Sequence, residues 1–163
     1  MRAGGKPRVG DGGFRQWSLA DVSGQVGYAP RLPRTVASGF TIRDVTVALK
    51  SYQTGNAGVN PVSHNVVSVG YRRGFDRVVV TNRAAGFDPS VWEDPLGTGE
   101  GFVDRAESVK LTSGSLAGQT ASVVITPRGT PHAWLVDGAL IVTISGDLSR
   151  AQIIQALNSF VPR

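Results

Sequence analysis

Apolar and polar residues alternate over several short stretches of this chain and reach helical spacing only once, near its end. In Thr41–Leu49, Val45, Val47 and Leu49 alternate with Asp44, Thr46 and Ala48, the two-residue period of a half-buried strand. Val66–Tyr71 and Phe75–Thr81 are β-branched runs on either side of Arg72-Arg73-Gly74, which predicts a hairpin. Further strands are predicted over 107–111, 119–125 and 132–136. Asp137-Gly138 is a favoured hairpin turn and leads into 139–145. That last run is apolar on both faces over part of its length, so it belongs in the middle of a sheet. Trp17 and Leu19 share one face of a less regular strand within 14–22. The prolines at 30 and 33 favour an extended path through Tyr28–Pro33.

The helical stretch has a start, a stripe and a stop. Ser149 and Gln152 fit a capping box, and Asp147 puts negative charge near the positive end of the helix. Ile153, Ala156, Leu157 and Phe160 form one apolar stripe with Ile154 beside it, and Pro162 ends the run. The expected fold class is α+β: a mostly antiparallel β-sheet with one C-terminal helix packed on it. Residues 1–13, rich in Gly, Arg and Lys, read as a flexible leader to a single α+β domain over 14–163. Segments 51–65 and 87–101 carry loop chemistry, with a single helical turn expected near 89–92.

Composition sharpens this picture in a few places. A chain of 163 residues with 21 Gly and 9 Pro suits one domain of many short elements. The absence of cysteine excludes disulfides, thiolate nucleophiles and thiolate metal sites. No apolar run approaches the roughly 18 residues of a transmembrane segment, and no signal-peptide core is visible near Met1. The two histidines, His64 and His132, lie far apart without a second ligand at helical spacing, so no metal is expected. No serine sits in a nucleophile elbow, and Ser113-Gly114-Ser115 reads as a turn. Glu93, Asp94, Glu100 and Asp104 share a Gly-rich loop, a poor scaffold for paired acid–base chemistry. Gly97-Thr98-Gly99-Glu100-Gly101 lacks the Lys-Ser/Thr ending of a phosphate loop. These features predict no catalytic residue and no cofactor.

A net charge of +5 suits an acidic protein, an anionic lipid or nucleic acid, although the basic residues are spread along the chain. Arg72, Arg73 and Arg77 are the exception. They cluster on the predicted hairpin with Tyr71 and Phe75 between them, and are the candidate partner-binding residues. Basic residues interleaved with aromatics also occur on single-stranded nucleic-acid binders, but here the rings follow strand alternation and are expected to face the core. An acidic protein or a lipid or lipoprotein is therefore the first expectation for a partner, and nucleic acid the alternative.

The stretch Ala133–Ile154 joins a Trp strand, a D-G turn, an apolar strand and Ser-Gly-Asp-Leu-Ser before the terminal helix. It resembles the small domain of unknown function found in bacterial envelope and sporulation proteins, and is similar to the C-terminal domain of MucB/RseB-like regulators. That domain follows a LolA-like lipoprotein-carrier domain, and residues 14–35 resemble the last strand and exit linker of such a carrier. The resemblance implies an antiparallel sheet with a packed helix, a non-enzymatic binding or sensing role, and an extracytoplasmic or envelope location of the parent protein; a cytoplasmic location is the alternative. The sequence departs from the pattern in showing neither a signal nor a complete carrier domain.

Overall fold

The alternating stretches pair edge to edge. The computed structural model describes residues 15–52, 63–84, 106–125 and 129–162. In chain order these form β1 (Arg15–Gln16), α1 (Val22–Val26), β2 (Arg31–Pro33), β3 (Thr41–Tyr52), β4 (Ser63–Arg73) and β5 (Asp76–Ala84). They continue with β6 (Glu107–Lys110), β7 (Thr120–Val124), β8 (His132–Asp137), β9 (Leu140–Gly146), α2 (Arg150–Leu157) and β10 (Phe160–Pro162). Eight strands make one antiparallel sheet in the order β1-β3-β4-β5-β9-β8-β7-β6, while β2 and β10 form a separate two-stranded ribbon. The fold is α+β, as the residue pattern predicts. The leader, most of the loop over 51–65, the loop over 87–101 and its helical turn lie outside the described residues.

Alternation sorts the residues of the sheet between its two faces. Val45, Val47, Val67, Val69, Val78, Val80, Val142, Ile144, Ala133, Leu135, Ala121 and Val123 face one way into a single core. That core is closed by Val22 and Val26 of α1, Leu32 of β2, Ile153, Ala156 and Leu157 of α2, and Phe160 of β10. β9 lies between β5 and β8 with Ile141, Val142, Thr143 and Ile144 all buried, which explains its run of apolar residues on both faces. On the opposite side, Thr46, Ser68, Thr81 and Thr143 line up in one row across four strands.

The terminal helix starts as its sequence dictates and ends sooner. The Ser149 hydroxyl accepts from the Gln152 N–H at 3.3 Å, and Gln152 Oε1 accepts from the Ser149 N–H at 2.8 Å. Arg150 pairs with Glu107, Nε to Oε2 at 2.7 Å, and this hydrogen-bonded guanidinium holds the Glu107 carboxyl below its ordinary range. Asp147, two residues before the Ser149 cap, also fastens β5: its Oδ2 accepts from the Arg77 N–H at 2.8 Å. Phe160 is buried, yet it belongs to β10 and not to the helical stripe. Asn158 causes the early stop by turning its side chain onto the loop after β6. Its Oδ1 accepts from the N–H groups of Thr112 and Ser113 at 2.7 and 3.0 Å. The chain beyond it then pairs with β2, Phe160 opposite Pro33. The Ser113-Gly114-Ser115 turn is part of the same fastening, with the Ser113 hydroxyl donating to the Asn158 carbonyl at 2.9 Å.

The N-terminal part of the fold corrects the sequence reading more strongly. Only Arg15 and Gln16 are strand, and Val22–Val26 is a helix that no local signal marks. The segment has β-branched residues at both ends and a glycine in the middle, all poor helix formers. It coils because a single turn brings Val22 and Val26 to the same side, where both are buried over β3 and β4. Gly27, at φ +79°, ends the turn.

Three polar side chains then attach the segment that follows. Asn65 Nδ2 donates to the Val26 carbonyl at 3.1 Å, and the Tyr28 hydroxyl lies 3.1 and 3.0 Å from the Asn65 and Asn82 carbonyls. Asn82, fully buried, accepts from the Arg31 N–H at 2.7 Å and donates to the Arg31 carbonyl at 2.8 Å. Its side-chain amide thus supplies both hydrogen bonds that a neighbouring strand would have given.

Burial pushes the Tyr28 phenol above its ordinary value of 10.0, against smaller opposing effects of a backbone hydrogen bond and the nearby Arg83 charge. The neutral phenol is favoured in the folded state. Its stability contribution is therefore whole below the unfolded value and lost as pH rises above it. Urea midpoints measured from neutral to strongly alkaline pH should fall more steeply for the wild type than for Tyr28→Phe. Parallel pH profiles would contradict this role.

Candidate functional site

The predicted hairpin is present, with a two-residue turn at Gly74-Phe75 in place of the three-residue turn expected at Arg72-Arg73-Gly74. Arg72 pairs with Arg77 and Arg73 with Asp76, so the two turn residues are Gly74 and Phe75. Gly74 has φ +60°, a conformation that costs glycine little. The shift matters for the aromatics. Tyr71 faces the core at 6 % exposure, as its alternation predicts, whereas Phe75 is 103 % exposed at the apex. Phe75 is therefore not a core residue, because a side chain in a two-residue turn lies beyond the last cross-strand pair.

The three candidate arginines divide into two kinds. Arg73 is occupied. Its Nη2 and Nε donate to Asp76 Oδ2 at 2.8 and 3.2 Å, and its Nη1 donates to the Ser38 carbonyl at 3.1 Å. Its guanidinium also lies 4.5 Å from the centre of the Phe40 ring, a cation–π contact. Arg73 thereby ties the hairpin to the segment leading into β3. Arg72 and Arg77 are exposed and, among the described residues, form no ion pair. Because they are directly opposite in register, both side chains leave the same face of the ribbon. The backbone of Arg77 is held on both sides by Asp147, whose N–H donates to the Arg77 carbonyl at 2.9 Å while its carboxylate accepts from the Arg77 N–H.

An open groove of about 490 Å³ lies at the same end of the sheet, lined in part by Arg34, Val36, Phe40, Ile42, Tyr71 and Gln155. Ile42 is 40 % exposed there. Among the described residues, no carboxylate and no histidine lines this groove.

The remaining residues singled out for chemistry lie elsewhere. His132 is buried in β8, with Nδ1 at 2.7 Å from the Thr130 carbonyl and its ring stacked on Trp134 at 5.8 Å. His64 lies in β4 opposite Ser51. Glu93, Asp94, Glu100 and Asp104 fall outside the described residues, as does the Gly97–Gly101 cluster. No group of three His, Asp or Glu side chains among the described residues could hold a metal ion, and no described helix is long and apolar enough to cross a membrane.

Sequence reasoning missed the exposed ring and the pairing of Arg73, and one signal could have found both. Arg73 and Asp76 are opposite charges three apart around Gly74, the spacing of a cross-strand pair that closes a two-residue turn. Reading that pair first fixes the register and puts Phe75 at the tip.

Fold and site together define an α+β domain with a projecting basic hairpin. No family model, curated protein or solved structure matches the chain.

Proposed function

We propose that this chain is a non-catalytic binding or sensing module of a bacterial envelope protein, and that it takes an anionic partner at the β4–β5 tip. The observation that carries the reading is the fully exposed Phe75 beside two exposed arginines, Arg72 and Arg77, on a rigid ribbon. The neighbouring Asp76 is hydrogen-bonded to Arg73 and the Asp147 carboxylate to the Arg77 backbone N–H, and neither forms an ion pair with the Arg72 or Arg77 guanidinium. The envelope location rests on the resemblance of Ala133–Ile154 alone. Nucleic acid fits less well, because Tyr71 is buried and, among the described residues of the hairpin, Phe75 alone is offered for base stacking.

The test compares Arg72→Ala/Arg77→Ala with Arg73→Ala, using binding of soluble poly-glutamate at low and moderate salt. Two exposed charge pairs support roughly a tenfold loss in the double variant, shrinking as salt screens them. Arg73→Ala should instead lower the thermal midpoint with a smaller change in affinity. A double variant that binds poly-glutamate like the wild type would remove the hairpin from the account.

A further inference from the structure

We infer that the β4–β5 tip is a shallow membrane contact: Phe75 enters the headgroup–acyl boundary of an anionic bilayer while Arg72 and Arg77 meet lipid phosphates. This rests on the binding reading above and narrows its partner to one kind of surface.

Three observations carry it. First, Phe75 makes no use of its ring within the fold, being 103 % exposed where Tyr71, four residues earlier, is buried. An aromatic ring gains most at a boundary that is apolar on one side and wet on the other. Second, the two cations stand at the depth such a contact needs. Arg77 follows Phe75 by two residues and Arg72 is its register partner, so both stand roughly 7 Å behind the ring along the strands. Interfacial segments bury their apolar side by about 5–10 Å, which brings long arginine side chains to the phosphate level when the ring is inserted. Third, the tip is held before contact. Arg73 is bonded to Asp76 and to the Ser38 carbonyl, and Asp147 holds the Arg77 backbone from the other side. Little backbone freedom in the ribbon remains to be lost on binding.

Shape separates a bilayer from an acidic protein. The ring stands fully exposed in the two-residue turn, beyond the last cross-strand pair. A lipid surface opens around such a point, whereas a protein partner must carry a matching pocket. Charge agrees over a wider area: Arg34 and Arg43 are also exposed at this end, so that with Arg72, Arg73 and Arg77 the arginines outnumber the nearby carboxylates of Asp44, Asp76 and Asp147. One ring and two arginines give weak, reversible attachment, suited to orienting a domain that something else keeps near the membrane.

The experiment uses the full chain with phosphatidylcholine vesicles, with and without phosphatidylglycerol, read by co-sedimentation. Wild type should bind the anionic vesicles and not the neutral ones. Arg72→Ala/Arg77→Ala should lose roughly 30-fold in affinity, from about one contribution per basic residue near the surface. Phe75→Ala should lose roughly tenfold through the missing apolar area, with Phe75→Trp retaining wild-type binding. Phe75 touches nothing in the fold, so circular dichroism of these two variants should match the wild type. Equal vesicle binding by Phe75→Ala and wild type would overturn the inference. If vesicles are not bound while poly-glutamate binding still depends on Arg72 and Arg77, the membrane inference fails and the binding reading stands. If neither probe responds to the arginine pair, both fail.

Discussion

Replacing Gly146 by alanine is expected to destabilise the domain by about 3–6 kcal/mol, a large part of the roughly 5–15 kcal/mol that holds such a domain together. A β-carbon at this position would lie 2.1 Å from the Arg77 carbonyl oxygen and 2.7 Å from Val78 Cα. Both are backbone atoms of the adjacent strand, so no side-chain rotation relieves the clash. The backbone also has φ +137°, a conformation that residues with a β-carbon avoid. Yielding here would separate β9 from β5 where Gly146 pairs with Val78, and would disturb the Asp147–Arg77 clamp one residue on. Gly138→Ala is the natural control. Gly138 has φ +60° and open space where its β-carbon would be, so only the backbone term applies, about 1–2 kcal/mol. Chemical denaturation of the two variants separates strain from collision. Similar losses at both positions would show that the close approach of β5 and β9 is not as tight as described.

Asn82→Leu is expected to cost about 2–5 kcal/mol, since it leaves the Arg31 N–H and carbonyl without the two partners that the buried amide supplies. The effect should be more than loss of contact, because among the described residues β2 pairs only with β10, and this amide supplies the hydrogen bonds of its other edge beside the burial of Leu32 and the Arg31–Asp137 ion pair. Asn82→Asp makes the argument more specific. A carboxylate can still accept from the Arg31 N–H, but faces the Arg31 carbonyl with no proton to offer. Burial raises the folded-state pKa of such a carboxyl above its unfolded value. The variant is then least compromised below the unfolded value and loses further stability as pH rises through the folded one. Denaturant midpoints for Asn82→Asp should therefore approach the wild type toward acid, while Asn82→Leu stays equally far below at every pH. A pH-independent deficit for the aspartate would mean that the Asn82 amide is not the group holding Arg31.

These two positions share a feature: neither looks unusual in the sequence. Gly146 lies in Ser145-Gly146-Asp147, which reads as an ordinary strand end. Asn82 ends a β-branched run as a polar residue that would normally meet water. Each owes its importance to a segment far along the chain, Arg77 in one case and Arg31 in the other. Arg73 belongs with them, since its partners include a carbonyl in the loop before β3.

What the sequence alone determines here is whatever depends on neighbours within a few residues. Period-two alternation gives β3, β4 and β5 and the face each turns to the core. Apolar residues on both faces put β9 in the middle. Ser149 and Gln152 start α2 because a capping box closes within one helical turn. Tertiary structure decides the rest. It coils Val22–Val26 against its local preference to bury two valines. It takes Phe160 out of the helical stripe to pair with Pro33, and it bonds Asp147 to β5. It also ties Arg73 to the Ser38 carbonyl, which separates one structural arginine from two exposed ones. The physical reason is the same each time: the deciding hydrogen bond or buried contact joins positions distant in sequence, so a local window contains only one of its two ends.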